Sequence, residues 1–269
     1  MRVLLANDDG INAPGISALA RRFSREHEVY IVAPDTNRSA ASCSMTVARP
    51  MKIVKIDSEN LPSVAAFSLA GSPVDCALCG IAGPHVPDVD VVVSGINDGP
   101  NVGTDIIYSG TCGAARHASL SGIPGIALSV DCNSFRDPQD SGNDLYYDTV
   151  ADFACRNLEK LIELCGEKKM VGDRYVYERF VNVNTPCLKK YKGVRLTNPC
   201  VRRYFDKIEI EKMDDESMTS TCVGECKVFS YGDDMADFKA TESGYVSVSS
   251  VYAEAAFVDL RGFENSFIV

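Results

Sequence analysis

Asp90-Val91-Val92-Val93-Ser94-Gly95-Ile96-Asn97-Asp98-Gly99-Pro100-Asn101 sets the architecture of this chain. Val91 to Ser94 are apolar or small on consecutive positions and rich in β-branched valine. A strand with one wet face alternates; one without alternation belongs to a sheet covered on both faces. The glycine-rich residues from Gly95 to Asp105 are then expected as a loop leaving the strand's carboxyl end. Working outward, Arg2 to Ala6 reads as a second buried strand, and Pro14 to Phe23 as a helix with Ile16, Leu19, Ala20 and Phe23 on one face. Strands are expected at Val29 to Ala33, Met51 to Ile56, Ala65 to Leu69 and Gly125 to Asp131. Ser72-Pro73 opens one more helix with a cap residue and a first-turn proline, and Thr111 to Ser121 forms another. Strands alternating with helices specify an α/β fold with a mostly parallel sheet.

Farther along, Asn133 to Asn143 is polar and turn-rich, an expected exposed excursion, and Leu145 to Cys165 reads as one long amphipathic helix. Phe180 to Asn184 and Gly244 to Val248 look like strands. Val201 to Met213 alternates as a hairpin arm does.

A length of 269 residues with 45% hydrophobic content is enough to bury a substantial core. No apolar run approaches the roughly 18 residues that a membrane span requires. The apolar start meets Asn7-Asp8-Asp9 too early for a signal peptide, so a soluble, unprocessed, cytoplasmic protein is expected. The 11 cysteines are scattered rather than regularly spaced, which fits a reducing compartment. Cys76 and Cys79 form a C-x-x-C, but Cys222 and Cys226 differ in spacing, and neither pair has a histidine beside it. They read as small core residues, because a closed zinc site needs four soft or imidazole ligands. A net charge of -10 opposes binding to nucleic acid polymers or anionic membranes. With only 3 histidines, any metal here is expected to be held by oxygen, which favours magnesium, manganese or calcium over zinc.

Ligands of open parallel sheets collect beyond the strands' carboxyl ends. Polar loops leave such ends after Ala6, Ala33 and Ser94. The first carries Asp8 and Asp9, which reach one ligand only if the chain turns, as Gly10 permits. Held together, they repel unless a cation lies between them. The blander alternative is a helix N-cap with a solvated neighbour. Ser39 and Ser42 from the second loop, with Asn97 and Asn101 from the third, offer neutral oxygens for a hard cation, although each loop alone is also ordinary turn chemistry. Ser109, Gly110 and Thr111 open a helix, where backbone N–H groups and the dipole favour a phosphate; a capped, tightly packed helix start is the alternative. Neither G-x-G-x-x-G nor G-x-x-x-x-G-K-[ST] occurs.

Taken jointly, Asn7-Asp8-Asp9-Gly10 with Ala13-Pro14-Gly15-Ile16, Val32-Ala33-Pro34-Asp35 with Asn37-Arg38-Ser39, Gly71-Ser72-Pro73 with Asp75-Cys76, and Val93 to Asn97 through Tyr108-Ser109-Gly110-Thr111 closely resemble the survival protein SurE family of 5'-nucleotidases. The likeness covers essentially residues 1 to 130. It implies a Rossmann-like doubly wound core over residues 1–185. Residues 186–269 are then a C-terminal extension with a projecting hairpin arm and an oligomerisation segment exchanged between subunits of a homodimer or homotetramer. It implies one divalent metal ion per subunit, Mg2+ or Mn2+ with Ca2+ as a crystal substitute, on Asp8, Asp9, Ser39 and Asn97. Phosphate contacts fall on Asn101, Ser109, Gly110 and Thr111, with Asp8 or Asp9 acting on the attacking water. The implied substrates are nucleoside 5'-monophosphates; 3'-monophosphates and short polyphosphate stay open.

Ala40 departs from the family's usual glycine, Cys43 from a polar residue, and His117 from a glutamate. Ser250-Val251-Tyr252 replaces the usual proline-leucine. Two competing readings are a phosphatase forming an aspartyl-phosphate, which usually wants a D-x-D spacing that Asn7-Asp8-Asp9 lacks, and a nucleotide-binding sensor without turnover.

Overall fold

A computed structural model of the protein describes residues 1–132, 144–212, 218–229 and 235–255. The expected excursion over 133–143 lies outside them, as does the end of the chain after Glu254-Ala255. Among the described residues, no helix is long and apolar enough to cross a membrane.

In chain order the elements are β1 (Arg2–Ala6), α1 (Pro14–Phe23), β2 (Glu28–Pro34), β3 (Ile53–Ile56), β4 (Ala65–Leu69), α2 (Pro73–Ala82) and β5 (Val91–Asp98). A 3-10 turn at Gly103–Ile107 leads into α3 (Gly110–Leu120), β6 (Gly125–Asp131), α4 (Asp144–Arg156) and α5 (Leu158–Glu163). Next come β7 (Lys168–Val171), β8 (Arg174–Tyr177), β9 (Arg179–Pro186), β10 (Val194–Leu196), β11 (Val201–Lys212), β12 (Met218–Phe229), α6 (Asp237–Glu242) and β13 (Val246–Tyr252).

Nine strands form one sheet in the order β10-β13-β9-β6-β5-β1-β2-β4-β3. Every pairing from β4 across to β9 is parallel, as is β10 with β13, whereas β3–β4 and β13–β9 are antiparallel. The alternating sides of β1 explain the two layers. Val3 and Leu5 face the α1, α4 and α5 layer; Leu4 and Ala6 face α2 and α3. Val91 and Val93 against Val92 repeat the pattern in β5. Each such buried Val or Leu side chain contributes about 1.5–3 kcal/mol relative to exposure. This is the doubly wound α/β architecture. The sheet continues past residue 185, since β10 and β13 join it from the far side of the 185/186 boundary. The arm also forms, with β11 and β12 antiparallel from Val201↔Phe229 to Lys212↔Met218.

Some elements differ from expectation for identifiable reasons. β5 does not end at Ser94. It runs through Asp98, with the register against β6 shifted between Ser94 and Asn97. Gly95 at φ 137° allows this bulge, after which Asn97 pairs with Ser129 and Asp98 with Val130. The expected helix over Leu145 to Cys165 is two helices. Asn157 lies at φ -110°, ψ 14°, outside helical geometry, and the Phe153 carbonyl accepts from both its N–H at 3.2 Å and its Nδ2 at 2.8 Å, so side chain and backbone share one acceptor at the break. The last strand begins at Val246, because Gly244 at φ 84° closes α6 first. β7, β8, β10 and α6 were not anticipated. Cys76 is fully buried in the sheet–α2 core, and Cys79 packs against it.

The segment between β2 and β3 has little regular structure and is pinned at a few points. Ser72 caps α2 by accepting from the Asp75 N–H, while the Asp75 carboxylate accepts from the Ser72 N–H and from both the N–H and hydroxyl of Thr46. Burial pushes the Asp75 carboxyl up, but these donors outweigh it and hold the pKa below 3.8. Stability from this group is therefore complete above that ordinary value and is lost as pH falls through the lower folded one. Ala40, Ser42 and Ala48 occupy the left-handed region at φ 58°, 56° and 55°.

The Asp75 geometry predicts that Asp75→Asn lowers the urea midpoint at pH 5, and that the gap between wild type and variant narrows steadily on acidification below pH 4; a gap independent of pH would refute it. A left-handed alanine costs about 1–2 kcal/mol, and glycine returns roughly 0.5–1 kcal/mol of that as unfolded-state entropy. Ala40→Gly is therefore expected to raise the thermal midpoint by about 1–3 °C, and a lowered midpoint would contradict the strain.

Candidate active site

The strand order reverses at β1, which lies between β2 and β5, so the crevice beyond these carboxyl ends is the switch point of the sheet. Asn7, fully buried, closes the turn there: its amide donates to the Gly10 carbonyl at 2.9 Å and accepts from the Gly10 N–H at 3.2 Å. Gly10 has φ 103°, and a Cβ would meet the Thr36 backbone at 3.3 Å, so the position needs glycine. The tightness of this corner is general: a Cβ on Gly15, in the first turn of α1, would lie 2.1 Å from the Ile96 carbonyl oxygen.

Asp8 is only 3% exposed. Its carboxylate accepts from the Thr111 hydroxyl and, at 3.1 Å, from the Thr111 N–H, so α3 is tied directly to the end of β1. Burial pushes the Asp8 carboxyl above 3.8 despite these bonds. Asp9 is pushed up to about 7, by burial first, then by the charge of Asp8, with Asp98 repelling as well. Two adjacent carboxyls, both pushed above their ordinary range, are in a setting that a cation relieves.

The loop after β2 folds over them. The Arg38 N–H donates to the Asp8 carbonyl at 2.6 Å, Asn37 Nδ2 reaches Asp9 at 3.3 Å, and the Asn37 amide oxygen accepts the Ser39 N–H at 2.9 Å. Ser42 donates from its N–H to the Tyr108 carbonyl and from its hydroxyl to that of Ile107. At the end of β5, Asn97 Nδ2 donates to the Gly99 carbonyl at 2.8 Å, which fixes the amide and turns its oxygen away as an acceptor.

An open pocket of about 550 Å³ collects Asp8, Ser39, Asn97, Asn101 and Ser109, with Asp98, Asp105, Tyr108, Tyr204 and Asp206. Asp9 lines the adjoining pocket with Gly10 and Tyr147, and Asp98 borders both. Gly110 and Thr111 stand behind Asp8 rather than in the pocket wall: a Cβ on Gly110 would touch Asp8, and the Thr111 donors are directed at its carboxylate. Ser109 accepts the Cys112 N–H at 3.0 Å as the cap of α3. Asn101 is held from three sides. Its N–H donates to Asn184, its carbonyl accepts from Asn182 and Asn184, and its Nδ2 donates to Ser129 at 2.9 Å.

Asp98, Asp105, Tyr108, Tyr204 and Asp206 were not singled out from sequence as site residues. The arm reaches the pocket because Arg202 forms an ion pair with Asp105 and the Tyr204 hydroxyl donates to Asp105 at 2.7 Å. No local pattern in residues 201–206 announces this; only the return of β11 against the 3-10 turn creates it.

The donor set fits a hard divalent cation: two raised carboxylates, a hydroxyl and an oriented amide oxygen, all oxygen atoms. The family model described as Survival protein SurE matches residues 3–206. The 5'/3'-nucleotidase SurE of Erwinia tasmaniensis is 37% identical over 257 residues, covering 94% of this chain and 91% of that protein. The protein of the same name from an Escherichia coli strain is 35% identical over 256 residues, with the same coverages. Among solved structures, the SurE protein from Aquifex aeolicus superposes with a TM-score of 0.71 at 28% identity, covering 99% of this chain and 98% of that one. With most of its length matched by the family model, this chain belongs to the survival protein SurE family.

Proposed function

We propose that the chain is a metal-dependent phosphomonoesterase that hydrolyses nucleoside 5'-monophosphates to nucleoside and phosphate, with 3'-monophosphates as further substrates. The observation that carries this reading is the meeting of Asp8, Ser39, Asn97, Asn101 and Ser109 in one pocket at the switch point of the sheet, with Asp9 alongside. Asp8, Asp9, Ser39 and Asn97 would hold one Mg2+ or Mn2+ per subunit. When bound, such an ion supplies neutralisation of phosphoryl charge and a lowered pKa for water.

The chain's own residues do the rest. Asn101, whose Nδ2 keeps a second hydrogen after serving Ser129, donates to a phosphate oxygen, and the Ser109 hydroxyl donates to another. Thr111 and Gly110 act from behind, fixing the Asp8 carboxylate so that it does not swing toward the phosphate it would repel. Asp9 is held less closely, by Asn37 Nδ2 at 3.3 Å and by the backbone of Asp98, and is the carboxylate better placed to orient the attacking water and take its proton. The leaving nucleoside oxygen departs toward the open side. There Tyr108 and Tyr204 line the pocket, aromatic side chains of the kind that contact a nucleobase. Phosphate monoesters react slowly in water, and oriented charge of this kind is what lowers their barrier.

A homodimer or homotetramer, acting in the cytoplasm, completes the reading. The arm exposes Ile208, Ile210 and Met218 at 60%, 63% and 67%, apolar side chains that a second copy of the chain would cover.

Phosphate release from AMP or GMP is expected with added Mn2+ and is abolished by a chelator, with no covalent phosphoenzyme trapped on acid quench. Asp8→Asn, which keeps the shape, is expected to weaken Mn2+ binding and lower kcat/KM by about 10²–10³ without loss of fold. Wild-type values for both would overturn the assignment. Asn101→Ala is expected to raise KM more than it lowers kcat.

A further inference from the structure

We propose that Cys132 and Cys187 form a reversible dithiol–disulfide site that, when oxidised, cross-links the carboxyl ends of β6 and β9 beside the pocket. Asp131 and Pro186 are the last partners in the parallel register of these strands, and the two cysteines follow one residue on. Neighbouring strands lie roughly 4.8 Å apart, inside the approximately 4.4–6.8 Å between Cα atoms that a disulfide requires. The side chains meet: the Sγ atoms of Cys187 and Cys132 face each other at 2.7 Å. Both residues are buried, at 3% and 1% exposure. Neither has a role in the proposed hydrolysis.

The pair is close to the machinery. Ser129 and Asn184, each three residues before its cysteine, are partners in the same register, and both hold Asn101. Tyr147 packs nearby and lines the pocket of Asp9. Its phenol is pushed up by burial first and then by Asp98, Cys132, Asp9 and Cys187, so one ring lies among both the carboxylates and the thiols. A cross-link would brace the β6–β9 edge from which Asn101 is held, and it would form whether or not the pocket hydrolyses nucleotides.

The chemistry balances with a small disulfide as oxidant. One cysteine thiolate attacks oxidised glutathione and releases one reduced glutathione. The second cysteine then displaces the other glutathione from the mixed disulfide, so two thiols lose two electrons and two protons in total.

The full-length chain is incubated overnight in oxidised glutathione, alkylated under native-to-denatured transfer, and digested for mass spectrometry. The expected product is a Cys132–Cys187 peptide pair two hydrogens lighter than its reduced sum, lost on treatment with dithiothreitol. A rise of roughly 5–10 °C in Tm is expected to accompany it. Exposed Cys43 and Cys222 report that the oxidant acted, through glutathione adducts. Cys132→Ser is expected to abolish both the peptide pair and the Tm response; should that variant fail to fold, the wild-type peptide mass decides by itself. Recovery of Cys132 and Cys187 as separate alkylated thiols while Cys43 carries glutathione would overturn the proposal. So would a cross-link that appears only after denaturation.

Discussion

The structure around the pocket depends on one buried carboxylate, Asp8, and on where its oxygen atoms are directed. Left alone, a carboxylate with 3% exposure is costly, and the two Thr111 donors only partly offset that cost. The same bonds dock α3 against the end of β1, and the backbone of Arg38 donates to the Asp8 carbonyl, so the helix start and the loop after β2 are both referred to one residue. Asp9 beside it carries the second cost, the repulsion between neighbouring negative charges in a partly dry corner. A site organised this way is less stable than a neutral one of equal packing, and the surplus negative charge is what prepares it for a cation.

From that corner the arrangement spreads outward through side-chain contacts with main chain. Asn97 is aimed by the Gly99 carbonyl, Asn101 by Asn182 and Asn184, and the 3-10 turn by Asp105. Asp237, at the start of α6, accepts from the N–H groups of Gly103 and Cys200, which ties the late part of the chain to the same turn. The pocket is therefore built by residues spread over most of the sequence; its floor is buried and hydrogen-bonded, while its arm-side wall is made of exposed strands.

Much of this was legible in the residues. Unbroken valine runs marked the central strands, the 3.6-residue spacing of Ile16, Leu19 and Phe23 marked α1, and adjacent Asp8 and Asp9 followed by glycine marked a turn with unusual electrostatics. Other features were hidden for physical reasons. The extension of β5 through Asp98 depends on a bulge that only the partner strand β6 defines, and the break at Asn157 is one residue's departure from helical backbone angles inside a helical pattern. The positions of Thr111 and Gly110 behind Asp8 could not be told from the pocket wall, because both placements use the same helix start. Tyr204 and Asp206 reach the site through tertiary contacts of the arm, which no local periodicity encodes. The departure at Ala40, by contrast, acquired a meaning: the position is left-handed, so alanine carries a strain that glycine would not.

The most direct measurement is a carbon-13 NMR titration of the Asp9 side-chain carboxyl, with and without Mg2+. Without the ion the midpoint should lie at about 7, reflecting burial and the neighbouring charge of Asp8; saturating Mg2+ should move it far downward, as a cation relieves both carboxylates together. A midpoint in the ordinary carboxylate range without the ion, unmoved when Mg2+ is added, would contradict a site organised around charge awaiting a metal.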